Sequence, residues 1–386
     1  MRLQVAFYAP LKPVDHPVPS GDRLLARLLC DALRHADMNV DIAARLRSRV
    51  ADGSVLKQAR LAELGTKLAG RLLRQYQSGF RPRPDIWFTY HLYYKAPDWI
   101  GPIVASALDI PYVVAEASFA SKRAGGPWAQ SHAAVETALC HSRAVFSLNR
   151  SDMVCLRDVC PDEVLHFIAP FTHVENWQIS HRPPVDPACL RLVTTAMMRD
   201  GDKLRSFDLL ARSLGRLLRD GIGNWHLTVI GDGPARDRVE AMFDHAGITQ
   251  NHVTLAGLCV PDQTRDILGQ SDLFVWPAIN EAFGMAMLEA QAAGVPVLAG
   301  DAGGVSGIVS NGVTGWLVPV GDEDAFTDRL AQCLGTDISV LRSFGAAGAS
   351  KAMQHHTVSA ASDILGTTLR AIVGDHAAQI PGKDGA

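Results

Sequence analysis

The sequence predicts an α/β protein of two domains, each built on a parallel sheet. Apolar runs of four to six residues alternate with helical patterns along the chain, as buried parallel strands joined by crossover helices do. The length of 386 residues exceeds what a single core usually organises. A composition of 47% hydrophobic and 20% charged residues, with 33 Gly and 21 Pro, is globular and excludes disorder, collagen and coiled coil.

In the first half, Leu3 to Tyr8 predicts a strand, Arg23 to Ala36 a helix and Val40 to Ala43 a strand. Asp85 to Tyr90, a helix over Trp99 to Ala107 and Tyr112 to Ala115 continue the alternation. The second half repeats it: Leu190 to Thr195, a helix over Ser206 to Asp220, Trp225 to Ile230, and a helix over Ala235 to Ala246. Val253 to Leu255, Leu273 to Trp276, a helix after Phe283, Val295 to Leu298 and Gly315 to Val318 complete a second sheet. Between the halves, the run from His181 to Pro187 holds three prolines and fits neither a helix nor a central strand. The linker is therefore expected at 172–188 and the domains at 1–180 and 181–386, with the last helix free to pack back on the first domain. Two such domains facing each other would bring the carboxyl ends of both sheets to a central cleft. Site residues are then expected in the loops after Tyr8, Tyr90, Ala115, Thr195, Ile230 and Trp276.

No span of 18 apolar residues is free of charge or proline, which argues against a transmembrane helix. The apolar start is interrupted by Arg2, Gln4 and Pro10 and reads as a first strand, not a signal peptide. Seven scattered cysteines without CxxC spacing point to reduced thiols in a cytoplasmic protein, and to no zinc site or disulfide framework. The net charge of −3 divides unevenly: residues 1–185 carry 22 Lys+Arg against 17 Asp+Glu, the rest 15 against 23. Ten of the basic residues fall within 45–83, beside only Asp52 and Glu63. Leu56 to Leu73 in that stretch has helical apolar spacing; such a helix can lie on anionic lipid at the inner membrane, although a solvated helix face is the plainer reading. No nucleic-acid partner is expected.

The strongest motif is Pro277-Ala-Ile-Asn-Glu281-Ala-Phe283-Gly284-Met285-Ala-Met-Leu-Glu289-Ala-Gln-Ala-Ala-Gly294-Val-Pro296. A strand ends at Trp276, a loop carries Glu281, and Phe283-Gly284 open a helix whose first turn has N–H groups free for an anion such as a pyrophosphate. Two carboxylates, one before that helix and one within it, could hold polyol hydroxyls on either side of a bound diphosphate.

This segment resembles the Glu-x7-Glu motif of the family 4 retaining glycosyltransferases, down to the Phe-Gly step and the Gly-Val-Pro-Val continuation. The resemblance implies a GT-B fold of two facing Rossmann-like α/β domains with a central cleft. It assigns Glu281 to the donor sugar and Glu289 to the nucleotide ribose, with Phe283, Gly284 and Met285 on the donor side. Thr194 to Leu210 looks like the family's strand, basic loop and helix, in which an arginine and a lysine clamp the donor phosphates; Arg199 and Lys203 take those roles. They stand four apart where the family usually has five. Val229-Ile-Gly231-Asp-Gly233-Pro234 resembles the strand-to-glycine turn behind the donor, with plain turn chemistry the other reading. As a dinucleotide fingerprint it fails, because Arg236 replaces the third glycine.

On the N-terminal side, Gly21 remains of the family's glycine loop, where Ser20 or Asp22 also suits a helix cap. His91 closes a strand where the family often has a polar group. Glu116 closes the next, where many members have a histidine, and Ser118 follows it on the acceptor side. Glu116 could orient the acceptor hydroxyl or stabilise charge at the anomeric carbon, or pair with Lys122 and Arg123. Gly307 stands where members tend to have a glutamate. Asp200-Gly-Asp202 and Asp322-Glu-Asp324 formally match a metal-binding DxD but read better as a loop and a helix start, so neither a metal nor a cofactor is expected.

The implied activity is retaining transfer of a hexose-type unit from a UDP-, GDP- or ADP-sugar to a hydroxyl of a glycan, lipid or small molecule, in cell-envelope polysaccharide or glycolipid synthesis. Catalysis would rest on Lys203, Glu281, Arg199 and Glu116. The rivals are a nucleotide-sugar epimerase of the same fold, which needs no acceptor, and a non-catalytic sugar-nucleotide-binding scaffold, which would bind donor without turnover.

Overall fold

The computed structural model describes residues 2–18, 20–179 and 189–379. The proline-dense linker segment, His181 to Pro187, lies outside the described residues. The chain divides into two compact units: one runs through Ile168 and resumes at Val358, and the other spans Ala169–Thr357.

The first unit follows the expected alternation: β1 Gln4–Tyr8, α1 Gly21–His35, β2 Asn39–Ala44, α2 Val55–Gln77, β3 Ile86–Leu92, α3 Gly101–Leu108 and β4 Tyr112–Ala117. The sequence reading named no strand beyond this point, but the unit continues with α4 Ala129–Cys140, β5 Ser142–Ser147, α5 Arg150–Leu156 and β6 Leu165–Phe167. β5 reads Ser-Arg-Ala-Val-Phe-Ser, with a charged residue and two serines in six positions, so its apolar run is short. It is buried because β4 and β6 pair with it on both sides.

All six strands are parallel in the order β2-β1-β3-β4-β5-β6. The chain winds one way from β1 to β2 and the other way from β3 onward, so the topological switch point lies between β1 and β3. Ligands of open α/β sheets bind at such points, beyond the carboxyl ends of the strands. Beneath it, buried Asp98 accepts hydrogen bonds from Thr89 Oγ1 (2.6 Å), Trp87 Nε1, Tyr112 OH and the amides of Ile100 and Gly101. One carboxylate thus ties β3 and β4 to the start of α3, and burial raises its pKa despite those donors.

The second unit repeats the plan: β7 Leu190–Thr195, α6 Asp202–Arg219, β8 Trp225–Ile230, α7 Arg236–His245, β9 Val253–Gly257, α8 Pro261–Gln270, β10 Leu273–Trp276, α9 Met285–Ala292, β11 Val297–Gly300, α10 Val305–Ile308, β12 Gly315–Val318, α11 Glu323–Leu334 and α12 Ile338–His355. Its strands are again parallel, in the order β12-β11-β10-β7-β8-β9. The switch point falls between β7 and β10. The amphipathic α6 buries Phe207, Leu210, Leu214 and Leu217 against this sheet. A final helix, α13 Val358–Gln379, belongs to the first unit, where Arg370 donates to the Ala36 carbonyl beyond the end of α1.

Candidate functional site

In the second unit, β7 and β10 are neighbours, so the loops leaving them converge. Lys203, in the first turn of α6, forms an ion pair with Glu281 Oε2 from the loop after β10, and both side chains are largely buried. Residues 78 positions apart meet here because the switch point makes their strands adjacent. The Trp276 indole N–H donates to the same oxygen at 3.2 Å, and Lys203 Nζ lies 5.3 Å from the Trp276 ring centroid. The ring is fixed edge-on against Phe207, with centroids 5.1 Å apart.

The Glu281 loop is fastened along the start of α6. Asn280 Nδ2 donates to Asp202 Oδ2 at 2.7 Å, and the Ile279 amide donates to Ser206 Oγ at 3.0 Å. Ala278 and Asn280 have φ of 55° and 52°, a left-handed conformation that non-glycine residues adopt at a cost of about 1–3 kcal/mol. The sequence reading found Lys203 and Glu281 but missed these fasteners. Trp276 was visible only as a strand end, and Asn280 only as the neighbour of Glu281.

Gly284, with φ 79°, turns the chain into α9, beside Phe283 and Met285. Glu289 lies within α9, where burial alone pushes its carboxyl up to about 8. Gly231 and Gly233 follow β8, and a Cβ there would sit 2.0 Å from the Ala196 carbonyl and 2.2 Å from that of Met198. The two glycines therefore let the β8 turn lie directly on the backbone of the loop that leads to Arg199. Arg199 itself is exposed and makes no side-chain hydrogen bond or ion pair among the described residues. Asp202 and the Asp322–Asp324 run both occupy helix starts, with Asp322 capping α11 through the Ala325 amide at 2.9 Å. Gly307 lies in α10 with open space around its Cβ position, and Lys351 Nζ donates to its carbonyl at 3.1 Å.

In the first unit, His91 and Glu116 lie at the ends of neighbouring β3 and β4, with φ of 64° and 60°. His91 Nδ1 is 3.2 Å from Asp22 Oδ1 in the first turn of α1. Glu116 is 7% exposed and accepts from the Leu148 amide at 3.3 Å. Burial, the largest cause, pushes it up to about 7, opposed by His91 and reinforced by Asp152 and Asp22. Neither Lys122 nor Arg123 pairs with it; Arg123 lies over the Tyr94 ring at 5.1 Å. Ser118 is exposed, its amide bonded to the Leu92 carbonyl. Ser20 caps α1 through the Arg23 amide at 3.2 Å, and Gly21 has an ordinary φ and no neighbour where a Cβ would point.

A family profile described as "Glycosyl transferases group 1" matches residues 190–336. Over residues 190–336 the chain is thus similar to the group 1 glycosyl transferases. This stretch contains Arg199, Lys203, Trp276, Glu281 and Glu289. Relatives include D-inositol 3-phosphate glycosyltransferase of Nocardia farcinica, 35% identical over 148 residues, covering 37% of this chain and 32% of the relative. Another is 2-deoxystreptamine N-acetyl-D-glucosaminyltransferase of Niallia circulans, 32% identical over 125 residues and 32% of each chain. The chain spans about a third of the length of these curated relatives. Sucrose-phosphate synthase from Thermosynechococcus elongatus has a TM-score of 0.73 at 17% identity, covering 97% of this chain and all of the other. Anabaena HepE in complex with UDP gives 0.71 at 15%, covering 96% and 100%. At these identities the likeness establishes the fold: two Rossmann-like α/β domains of the GT-B type. Among the described residues, no helix is long and apolar enough to cross a membrane.

Proposed function

We propose that the protein is a retaining glycosyltransferase that moves a sugar from a nucleoside diphosphate sugar to an acceptor hydroxyl. The observation that carries this reading is the ion pair of Lys203 with Glu281, held by Trp276 at the switch point of the second unit. A departing nucleoside diphosphate accumulates charge on its oxygens, and a positioned cation stabilises that charge. Lys203 supplies it, with Arg199 from the loop that precedes α6 free to swing onto the phosphates. Once Lys203 turns to the diphosphate, Glu281 retains the Trp276 N–H and is free to take a sugar hydroxyl. Glu289 takes the ribose, and Gly231 and Gly233 line the approach.

The first unit takes the acceptor, through His91, Glu116 and Ser118. Retention follows the same-face course of the family that the sequence resembles, with the leaving phosphate drawing the acceptor proton. Two cationic side chains at the phosphates make a metal ion dispensable in this scheme. HepE has been solved with UDP-glucose, which puts UDP-sugars first among the donors. The exposed Val55, Leu56, Leu64 and Phe80 on and beside the basic α2 support a peripheral contact with the cytoplasmic membrane face, and so a cell-envelope acceptor.

The test is thermal stabilisation by UDP-, GDP-, ADP- and TDP-sugars, repeated with Lys203→Ala, since a ligand that binds the native state raises the melting temperature. One nucleotide class should stabilise the wild type and fail on the variant. Product anomer analysis with that donor then checks retention, and EDTA checks metal independence. Absence of a shift with every nucleotide class, in folded protein, would overturn the reading.

A further inference from the structure

The carboxyl ends of β3 and β4 in the first unit gather three acidic side chains, Asp22, Glu116 and Asp152, about a single histidine, His91. Glu116 feels the charge of Asp152, which lies in the first turn of α5, and the two share one opposing group, His91. Among the described residues, neither carboxylate has a Lys or Arg partner, although ten basic residues crowd 45–83. Glu116 is buried and has a single backbone donor, the Leu148 amide. Asp22 adjoins from α1, in contact with His91.

A second, independent feature points into the same place. Tyr90 is 1% exposed, yet its hydroxyl has no hydrogen-bond partner. It lies close enough to Asp22 and Glu116 for both charges to raise its pKa. His91 Nδ1 is buried and faces Asp22 Oδ1 at 3.2 Å. Buried polar groups are normally paired, and unpaired ones call for a partner. Burial raises both carboxyls, and a cation beside them would favour their charged form.

An anionic ligand is repelled by this cluster, and a neutral polyol supplies donors but no charge. A primary ammonium supplies three N–H donors and one positive charge, and its hydrogen bonds to carboxylates are of the strong, charge-assisted kind. We propose that Glu116 and Asp152, with His91 and the Tyr90 hydroxyl beside them, form a site for a protonated amine, so that the acceptor is an amino sugar or aminocyclitol. This rests on the reading of the first unit as the acceptor domain.

The experiment compares binding of glucosamine with glucose, and of 2-deoxystreptamine with myo-inositol, by titration calorimetry with and without the stabilising nucleotide. Each amine should bind at least about tenfold more tightly than its neutral counterpart, the range expected of charge-assisted hydrogen bonds. Glu116→Gln and Asp152→Asn should each abolish that preference while leaving the nucleotide-induced melting shift intact. The shift also shows that each variant folds. Equal binding of amine and neutral sugar, an amine preference that survives both substitutions, or failure of either amine to bind would overturn the proposal. An amine preference in a protein that binds no nucleotide would leave this site standing and remove the transferase reading instead.

Discussion

The Trp276 indole N–H donates to Glu281 Oε2 at 3.2 Å, from a ring that also lies beneath the Lys203 ammonium. One buried side chain, 2% exposed, thus addresses both members of the ion pair that the proposed reaction requires. The indole can keep Glu281 oriented when Lys203 leaves it for a phosphate.

Trp276→Phe keeps a smaller aromatic ring and removes the N–H. Loss of a hydrogen bond to a charged group costs about 1.5–3 kcal/mol. If that bond steers Glu281 during transfer, kcat should fall by about tenfold or more while the donor KM changes by less than threefold. Steady-state kinetics with the identified donor separates the two. Equal losses in stability and in both kinetic constants would indicate a packing role alone.

Gly303 has φ 52°, and a Cβ there would stand 2.2 Å from the Glu281 carbonyl oxygen. Gly303→Ala must displace the Glu281 loop, and should abolish the nucleotide-sugar melting shift and destabilise the protein by about 1–3 kcal/mol. Gly307→Ala, four residues on in open space, should leave both unchanged. The pair of variants, measured side by side, distinguishes a loop effect from a general one.

Glu289 has its carboxyl raised by burial to about 8. Its native form therefore holds a proton that the unfolded chain releases near pH 4.5. The stability this provides is complete below pH 4.5 and is lost as pH rises toward 8. Glu289→Gln cannot ionise, so its melting temperature should lie closest to the wild type's at pH 5 and exceed it by several degrees above pH 8. Melting curves from pH 5 to 9 check this.

His356 shows the opposite sign. It is 1% exposed, donates from Nδ1 to the Pro170 carbonyl at 2.6 Å, and is pulled down to about 4, first by burial. The unfolded chain takes up a proton below about 6.5, which the native state refuses. Stability is therefore present above pH 6.5 and is lost as pH falls toward 4, by up to about 3 kcal/mol. His356→Asn should be less stable at pH 7 through the lost packing and flatter between pH 6.5 and 4, as denaturant titrations at each pH would show.

The sequence by itself determined the α/β class, the strands β1 to β4 and β7 to β12 with most of the helices between them though not α8 or α10, and the segments that carry Lys203, Glu281 and Glu289. These follow from local patterns: apolar runs of strand length, helical spacing, and glycines at turns. It did not reveal β5 and β6, because a strand bounded by serines owes its burial to its neighbours and not to its own composition. Nor did it show that Trp276 serves Glu281, that Asn280 and Ser206 fasten the same loop, or that Asp152 and Tyr90 join His91 and Glu116. Those relationships are set by strand order. A parallel sheet that reverses its winding brings β7 beside β10, and β1 beside β3, and side chains tens of residues apart in sequence then share one low-dielectric environment. Only the tertiary structure decided which charges were paired there and which were left without a partner.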